Sequence, residues 1–244
     1  MLRLEQLTDY YKSTRKIKAV LAFGSCGVER ERFDQYSDLD FLVVCRDETK
    51  QALLNDIQSL SILSPVAFWF INYGDAVKLM FLDGVFCDYG IVTQGQLGGI
   101  PHAEGVILWC EEGFDTMLCK SNLPTAEQPT QEVLVGEILT ALYVGMCRDR
   151  RGEHTMAFQM IQVDAVNLLM QLYAMEHKPE QNADPFSAGR RAELNFSVLA
   201  KEYPRMMQGY VKNAQSAIAV LDCLSRIGNA NRFMVDKIAE LCTT

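Results

Sequence analysis

Six short apolar runs follow one another between Lys18 and Cys110: KAVLAF, DLDFLVVC, VAFWFIN, VKLMFL, GVFCDYGIV and GVILWC, each bounded by Gly, Asp or Asn. Runs of this length and β-rich composition predict strands. Residues 47–60, DETKQALLNDIQSL, carry helical spacing instead, with Asp47 or Thr49 as cap, so the first half predicts a mixed α/β unit. The pattern changes at residues 121–129, SNLPTAEQP, which hold two prolines and no apolar periodicity and are read as a linker. Beyond it the spacing is helical. Thr130 is the expected N-cap of TQEVLVGEILTALYVGMCRDR. In the next segment Phe158, Ile161, Ala165, Leu168 and Leu172 recur at three- to four-residue steps along one helix face. Further helices are expected over 190–201, 205–227 and 231–241, and short connections favour an antiparallel bundle. The expected division is residues 1–120 and 130–244.

A chain of 244 residues that is 49% hydrophobic and 22% charged has enough apolar material for two modest cores. The formal charge of −8 disfavours a general grip on nucleic acid, which needs a basic footprint. Eight cysteines form no CxxC pair and no metal-ligand cluster, and most lie in apolar runs. They read as reduced, buried small hydrophobes of a cytoplasmic protein. The first residues lack a secretory apolar region, and no apolar run approaches the ~20 residues of a membrane span.

The chemistry concentrates where the second run begins. Asp38 and Asp40 are two apart at the mouth of a strand, so both point to one face while Leu39 and Phe41 point to the other. Two carboxylates roughly 6 to 7 Å apart along a strand repel one another unless a cation lies between them. Mg²⁺ suits them, being held by one or two carboxylates together with substrate phosphates. About a dozen residues earlier, Gly24-Ser25 ends the first strand. Glycine lets the backbone turn and approach a ligand closely, and amides opening a short helix can cradle phosphate.

Strand, Gly24-Ser25, then Ser37-Asp38-Leu39-Asp40-Phe41 resembles the signature of the polymerase-β-type nucleotidyltransferase superfamily. Within it the chain looks most like the bacterial antibiotic nucleotidyltransferases that act on aminoglycosides or lincosamides. The signature covers residues 19–44, and the two-domain layout extends the likeness loosely over the rest. The resemblance implies an α/β (α+β) fold: a nucleotidyltransferase mixed sheet with flanking helices, followed by an all-α C-terminal helical bundle.

It also implies a third carboxylate on a later strand, and Asp88, which interrupts GVFCDYGIV, is the candidate. In such enzymes that position binds a metal or takes the proton of the acceptor hydroxyl. Asp38, Asp40 and Asp88 are thus the expected catalytic and metal-binding residues, with two Mg²⁺ ions, and Gly24 and Ser25 are expected on the triphosphate. The implied reaction moves a nucleoside monophosphate, AMP from ATP, to a hydroxyl of a small molecule and releases pyrophosphate. No nucleic acid or membrane partner is expected, and a homodimer is compatible with the layout.

Arg148, Arg150, Arg151, Gly152 and Glu153 resemble an Arg-Gly-Glu helix junction of these transferases; Arg151 is a candidate for the triphosphate, with cations at a helix C-terminus as the alternative. Arg190 and Arg191 suit phosphate through their planar donor forks, or form a helix-surface pair. Glu137 is an alternative general base or a solvated helix residue. Glu111, Glu112 and Asp115 either attract a cationic acceptor or form a surface turn. Two rival functions stand beside this one. One is transfer to protein, RNA or a metabolite; the other is a nucleotide-binding regulator without turnover, although all three carboxylates are retained.

Overall fold

The computed structural model describes residues 1–124, 128–181 and 189–243. The chain divides into two compact units, Met1–Thr125 and Ala126–Thr244. No helix among the described residues is long and apolar enough to cross a membrane.

The first unit opens with helix α1 (Leu2–Ser13) and then builds a mixed sheet from β1 (Ile17–Ala22), β2 (Leu39–Cys45), β3 (Val66–Ile71), β4 (Ala76–Phe81), β5 (Phe86–Thr93) and β6 (Val106–Cys110). All six apolar runs form strands. Their order is β3-β4-β5-β2-β1-β6, with β2 and β5 parallel and the other neighbours antiparallel.

Alternation gives the sheet two different faces. Leu39, Phe41 and Val43 of β2, Cys87, Tyr89 and Ile91 of β5, and Val77, Leu79 and Phe81 of β4 join Leu4, Leu7 and Tyr11 of α1 in one buried core. The Phe41 and Tyr89 rings stack at 4.6 Å, and the Tyr11 hydroxyl donates to the Tyr89 hydroxyl at 2.9 Å. An aromatic pair of this kind contributes roughly 0.5 to 1.5 kcal/mol beyond its buried area. The opposite face is covered over Ala19, Leu21, Val44 and Val92 by Leu97, Phe114 and Cys119. That cover does not reach the N-terminal ends of β2 and β5, where polar side chains stand on the same face.

The expected helix over 47–60 is broken into a 3-10 turn (Asp47–Thr49), α2 (Lys50–Leu54) and a second 3-10 stretch (Ile57–Ile62). Neither expected cap acts as one: the Thr49 hydroxyl donates to the Lys16 and Arg46 carbonyls instead. The short helix α3 (Gln94–Leu97) follows β5 directly and is closed by a reciprocal Thr93/Gln96 capping box.

Of the expected linker, Thr125, Ala126 and Glu127 lie outside the described residues. Its start is fastened to the first unit, because the Asn122 side chain donates to the carbonyls of Gly98 and Ile100 at 3.0 and 3.2 Å.

The second unit is helical. Helix α4 (Gln131–Arg150) begins at Thr130, whose hydroxyl accepts from the Val133 amide. Helices α5 (His154–Phe158) and α6 (Ala165–Glu176) are joined by a π-helical segment, Gln159–Asp164. Widening the turn brings Gln162 to 1% exposure, where its amide pairs with Asn213 and with the backbone of Gly209. Of the expected apolar stripe, Ile161, Ala165 and Leu172 are buried and Leu168 packs against the core.

The expected helix over 190–201 appears as α7 (Ala192–Asn195) and α8 (Ser197–Ala200). That over 205–227 is reduced to α9 (Tyr203–Met206) and α10 (Asn213–Ile227), because Gly209 takes φ +102° between them. Helix α11 (Arg232–Thr243) closes the unit. In DPFSAGRRAE, residues 184–188 lie outside the described residues.

Candidate active site

The site is built from the end of β1, the start of β2 and the start of β5. After β1 the backbone is extended at Phe23 and then turns sharply at Gly24, with φ +51°, into a 3-10 turn over Gly24–Cys26. A side chain is strained in that conformation. The turn closes on itself, since the Gly27 amide donates to the carbonyls of Phe23 and Gly24, both at 3.0 Å. Gly27 is required for a different reason: a Cβ there would stand 2.6 Å from the Ala22 carbonyl oxygen and 2.9 Å from the Phe23 Cα. Ser25 is buried within the turn, at 7% exposure.

Two contacts fasten this turn to the aspartate pair. The Phe23 amide donates to the Asp40 carbonyl at 2.9 Å, and the Cys26 thiol donates to the Asp38 carbonyl at 3.4 Å. Burial pushes the Cys26 thiol up, and the nearby Asp40 and Asp38 carboxylates push it further. Cys26 thus packs as a buried thiol that ties the turn to Asp38.

Asp38 immediately precedes β2, and Asp40 is its second residue. Both side chains are exposed, whereas Leu39 and Phe41 are buried at 2% and 1%. A turn sets their approach: the Asp34 carboxylate accepts from the Tyr36 amide and the Ser37 hydroxyl. A Cβ placed on Gly24 would lie 3.9 Å from Asp40 Oδ2 and 3.6 Å from Arg32 Nη2. The bare backbone at Gly24 thus borders both a carboxylate and a guanidinium.

Asp88 meets this group through the parallel pairing of β2 and β5, in which Asp40 and Asp88 are direct register partners. On its other side Asp88 is the register partner of Lys78, and the Lys78 ammonium is ion-paired with Asp88 Oδ2. Asp40, Asp88 and Lys78 accordingly form one row across three adjacent strands, on one face of the sheet.

The donor set fits Mg²⁺ in part. Asp38 and Asp40 offer exposed, hard carboxylate oxygens beside a backbone turn, and a triphosphate would complete the ligand shell. Among the described residues no group of three His, Cys, Asp or Glu side chains is placed to hold a metal ion, so the protein's share of the ligand shell is the carboxylate pair. Asp88 already has an ammonium on one of its oxygens.

The remaining candidates belong to the second unit. Glu137 is exposed on α4. Arg151 is exposed just beyond the C-terminus of α4, while Arg148 pairs with Glu153 and Arg150 donates to the Leu241 carbonyl. Arg190 is exposed, and Arg191 takes φ +59° ahead of α7. In the first unit, two of the three acidic residues after β6 have local partners: Glu111 pairs with Arg46, and Asp115 caps the Met117 amide.

Sequence reading missed Lys78 and Arg32. A single lysine inside the apolar run VKLMFL was a usable signal, although only strand pairing reveals its partner. Arg32 carried none, being one of several charges in VERER.

No protein-family model and no curated protein sequence matches the chain. Among solved structures it is similar to a nucleotidyltransferase-like protein from Exiguobacterium sibiricum 255-15, at 15% identity over 91% of this chain and 75% of that one, with a TM-score of 0.37. It is also similar to an aminoglycoside 6-adenyltransferase from Bacillus subtilis, at 13% identity over 98% of this chain and 89% of that one, with a TM-score of 0.33.

Proposed function

We propose that this protein is a metal-dependent nucleotidyltransferase, which moves a nucleoside monophosphate, AMP from ATP, to a hydroxyl of a small molecule and releases pyrophosphate. The observation that carries the reading is the placement of Asp40 beside both Gly24 and Asp88, at the end of the sheet face that the Leu97, Phe114 and Cys119 cover does not reach. Asp38 and Asp40 would hold Mg²⁺, which when bound neutralises charge on the triphosphate.

The chain's own residues do the rest by positioning. The turn at Gly24 and Ser25 presents backbone amides to the phosphates, and the Arg32 guanidinium lies at its edge. Arg151, Arg190 and Arg191 are further candidates for the triphosphate by their chemistry. Asp88 serves the acceptor side of the reaction, as a metal ligand or as the group that receives the hydroxyl proton. The charge of −8 supports a small acceptor over RNA. Aminoglycosides and lincosamides are the first acceptors to test.

The test is transfer of label. With α-³²P-labelled ATP and Mg²⁺, label should pass to one acceptor from a panel of aminoglycosides, lincosamides and unrelated hydroxyl compounds. Transfer only to a protein or an RNA would replace the small-molecule reading. Label that stays on nucleotide with every acceptor would overturn the transferase reading.

A further inference from the structure

We propose that Lys78 is a positioning residue, which holds Asp88 off the metal and keeps its second oxygen available to the acceptor hydroxyl. The inference rests on the nucleotidyltransferase reading and decides which of two roles Asp88 has within it.

Three observations carry it. Lys78, Asp88 and Asp40 are successive register partners on β4, β5 and β2, so Asp88 stands between a fixed cation and the carboxylate assigned to the metal. The ammonium is on Asp88 Oδ2, and both side chains are partly buried, at 26% and 35% exposure. On its far side Lys78 faces Phe70, which has no carboxylate to offer.

A divalent ion on Asp88 would lie next to that ammonium, and like charges at this distance repel strongly. Asp38 and Asp40 would hold the ion instead. Asp88 then receives the proton of the acceptor hydroxyl on Oδ1. The acceptor oxygen bonds to the α-phosphorus, and the bond from the α-phosphorus to the bridging oxygen breaks. Pyrophosphate leaves with that electron pair.

A cross-strand ion pair with a merely structural role would help the sheet and leave metal binding untouched. Metal binding is therefore the readout, with Mn²⁺ alone titrated into the full chain and followed by electron paramagnetic resonance. Asp40→Asn should weaken Mn²⁺ binding at least tenfold, whereas Asp88→Asn should leave it within twofold of wild type. Lys78→Met should free Asp88 and tighten Mn²⁺ binding at least threefold or add a second ion; Lys78→Arg, which keeps the charge and guards against a folding artefact, should bind as wild type does.

Turnover supplies the second readout. Asp88→Asn should lower kcat by about 10²-fold or more, the usual worth of a positioned base, with KM for the nucleotide within twofold. Mn²⁺ binding weakened equally by Asp88→Asn and Asp40→Asn would overturn the assignment of Lys78, as would a Lys78→Met protein that binds Mn²⁺ as wild type does. Mn²⁺ binding that Asp40→Asn leaves intact would overturn the nucleotidyltransferase reading itself.

Discussion

Asp40 of β2 and Asp88 of β5 are direct partners in a parallel strand pair, so two residues 48 positions apart present carboxylates side by side on one face of the sheet. The buried faces of the same strands hold this register, because a slip of either strand by one residue would turn its own aromatic, Phe41 or Tyr89, out of the core and its own aspartate into it. The apolar packing beneath the site therefore specifies the geometry above it.

The two glycines of the turn should respond differently to alanine. Gly24→Ala meets only ordinary contacts but keeps a left-handed backbone, which costs about 1 kcal/mol. Its KM for the nucleotide should rise about tenfold, as expected when one hydrogen bond to a charged group is impaired. Gly27→Ala drives a Cβ into the backbone of Ala22 and Phe23 and should cost about 3 kcal/mol. Chemical denaturation of both variants checks the ranking; equal losses would contradict it.

The helical unit contains a pH-dependent contact. Burial pushes the Asp149 carboxyl up, but hydrogen bonds from Asn213 and His154, with the charge of His154, outweigh it and leave the group below its ordinary range. A carboxyl lowered on folding stabilises fully above its unfolded value of about 4, and that stabilisation is lost as pH falls through the lower folded value. Asp149→Asn should be less stable than wild type by roughly 1 kcal/mol at pH 5 to 6, and the gap should close as pH falls through the lowered folded value. Denaturation curves across that range test it, and a gap that persists at the lowest pH would contradict it.

The thiols should be separable by alkylation of the native protein at pH 8. Burial pushes Cys45 and Cys242 to about 11 and Cys87 to about 12, and it also raises Cys26, Cys119 and Cys223. Cys110 and Cys147, which are only partly covered, should react first. Mass spectrometry of timed samples gives the order; early modification of Cys87 would contradict the packing around β5.

Much of the first unit was legible in the sequence because its signals are local. Short β-rich runs bounded by Gly, Asp or Asn marked all six strands, and the spacing of Asp38 and Asp40 around Leu39 marked which side chains turn outward. Lys78 was not legible, since its significance depends on β4 pairing with β5 in one particular register. In the helical half the apolar stripe of 158–172 was readable, but the π segment that seats Gln162 depends on the packing of Asn213 and Gly209 against it. Residues 205–227 read as one helix only when Gly209 is given too little weight.

The central claim is that Asp40 works with Gly24 and Asp88 in transferring a nucleotide. Pyrophosphate release from ATP with Mg²⁺ and the best acceptor, compared between wild type and Asp40→Asn, tests it most directly. The account predicts steady release by wild type and a loss of about 10³-fold or more in the variant, since a metal's charge stabilisation is worth several kcal/mol. The variant should keep the circular dichroism of the wild type. Release that Asp40→Asn leaves unchanged would contradict the account.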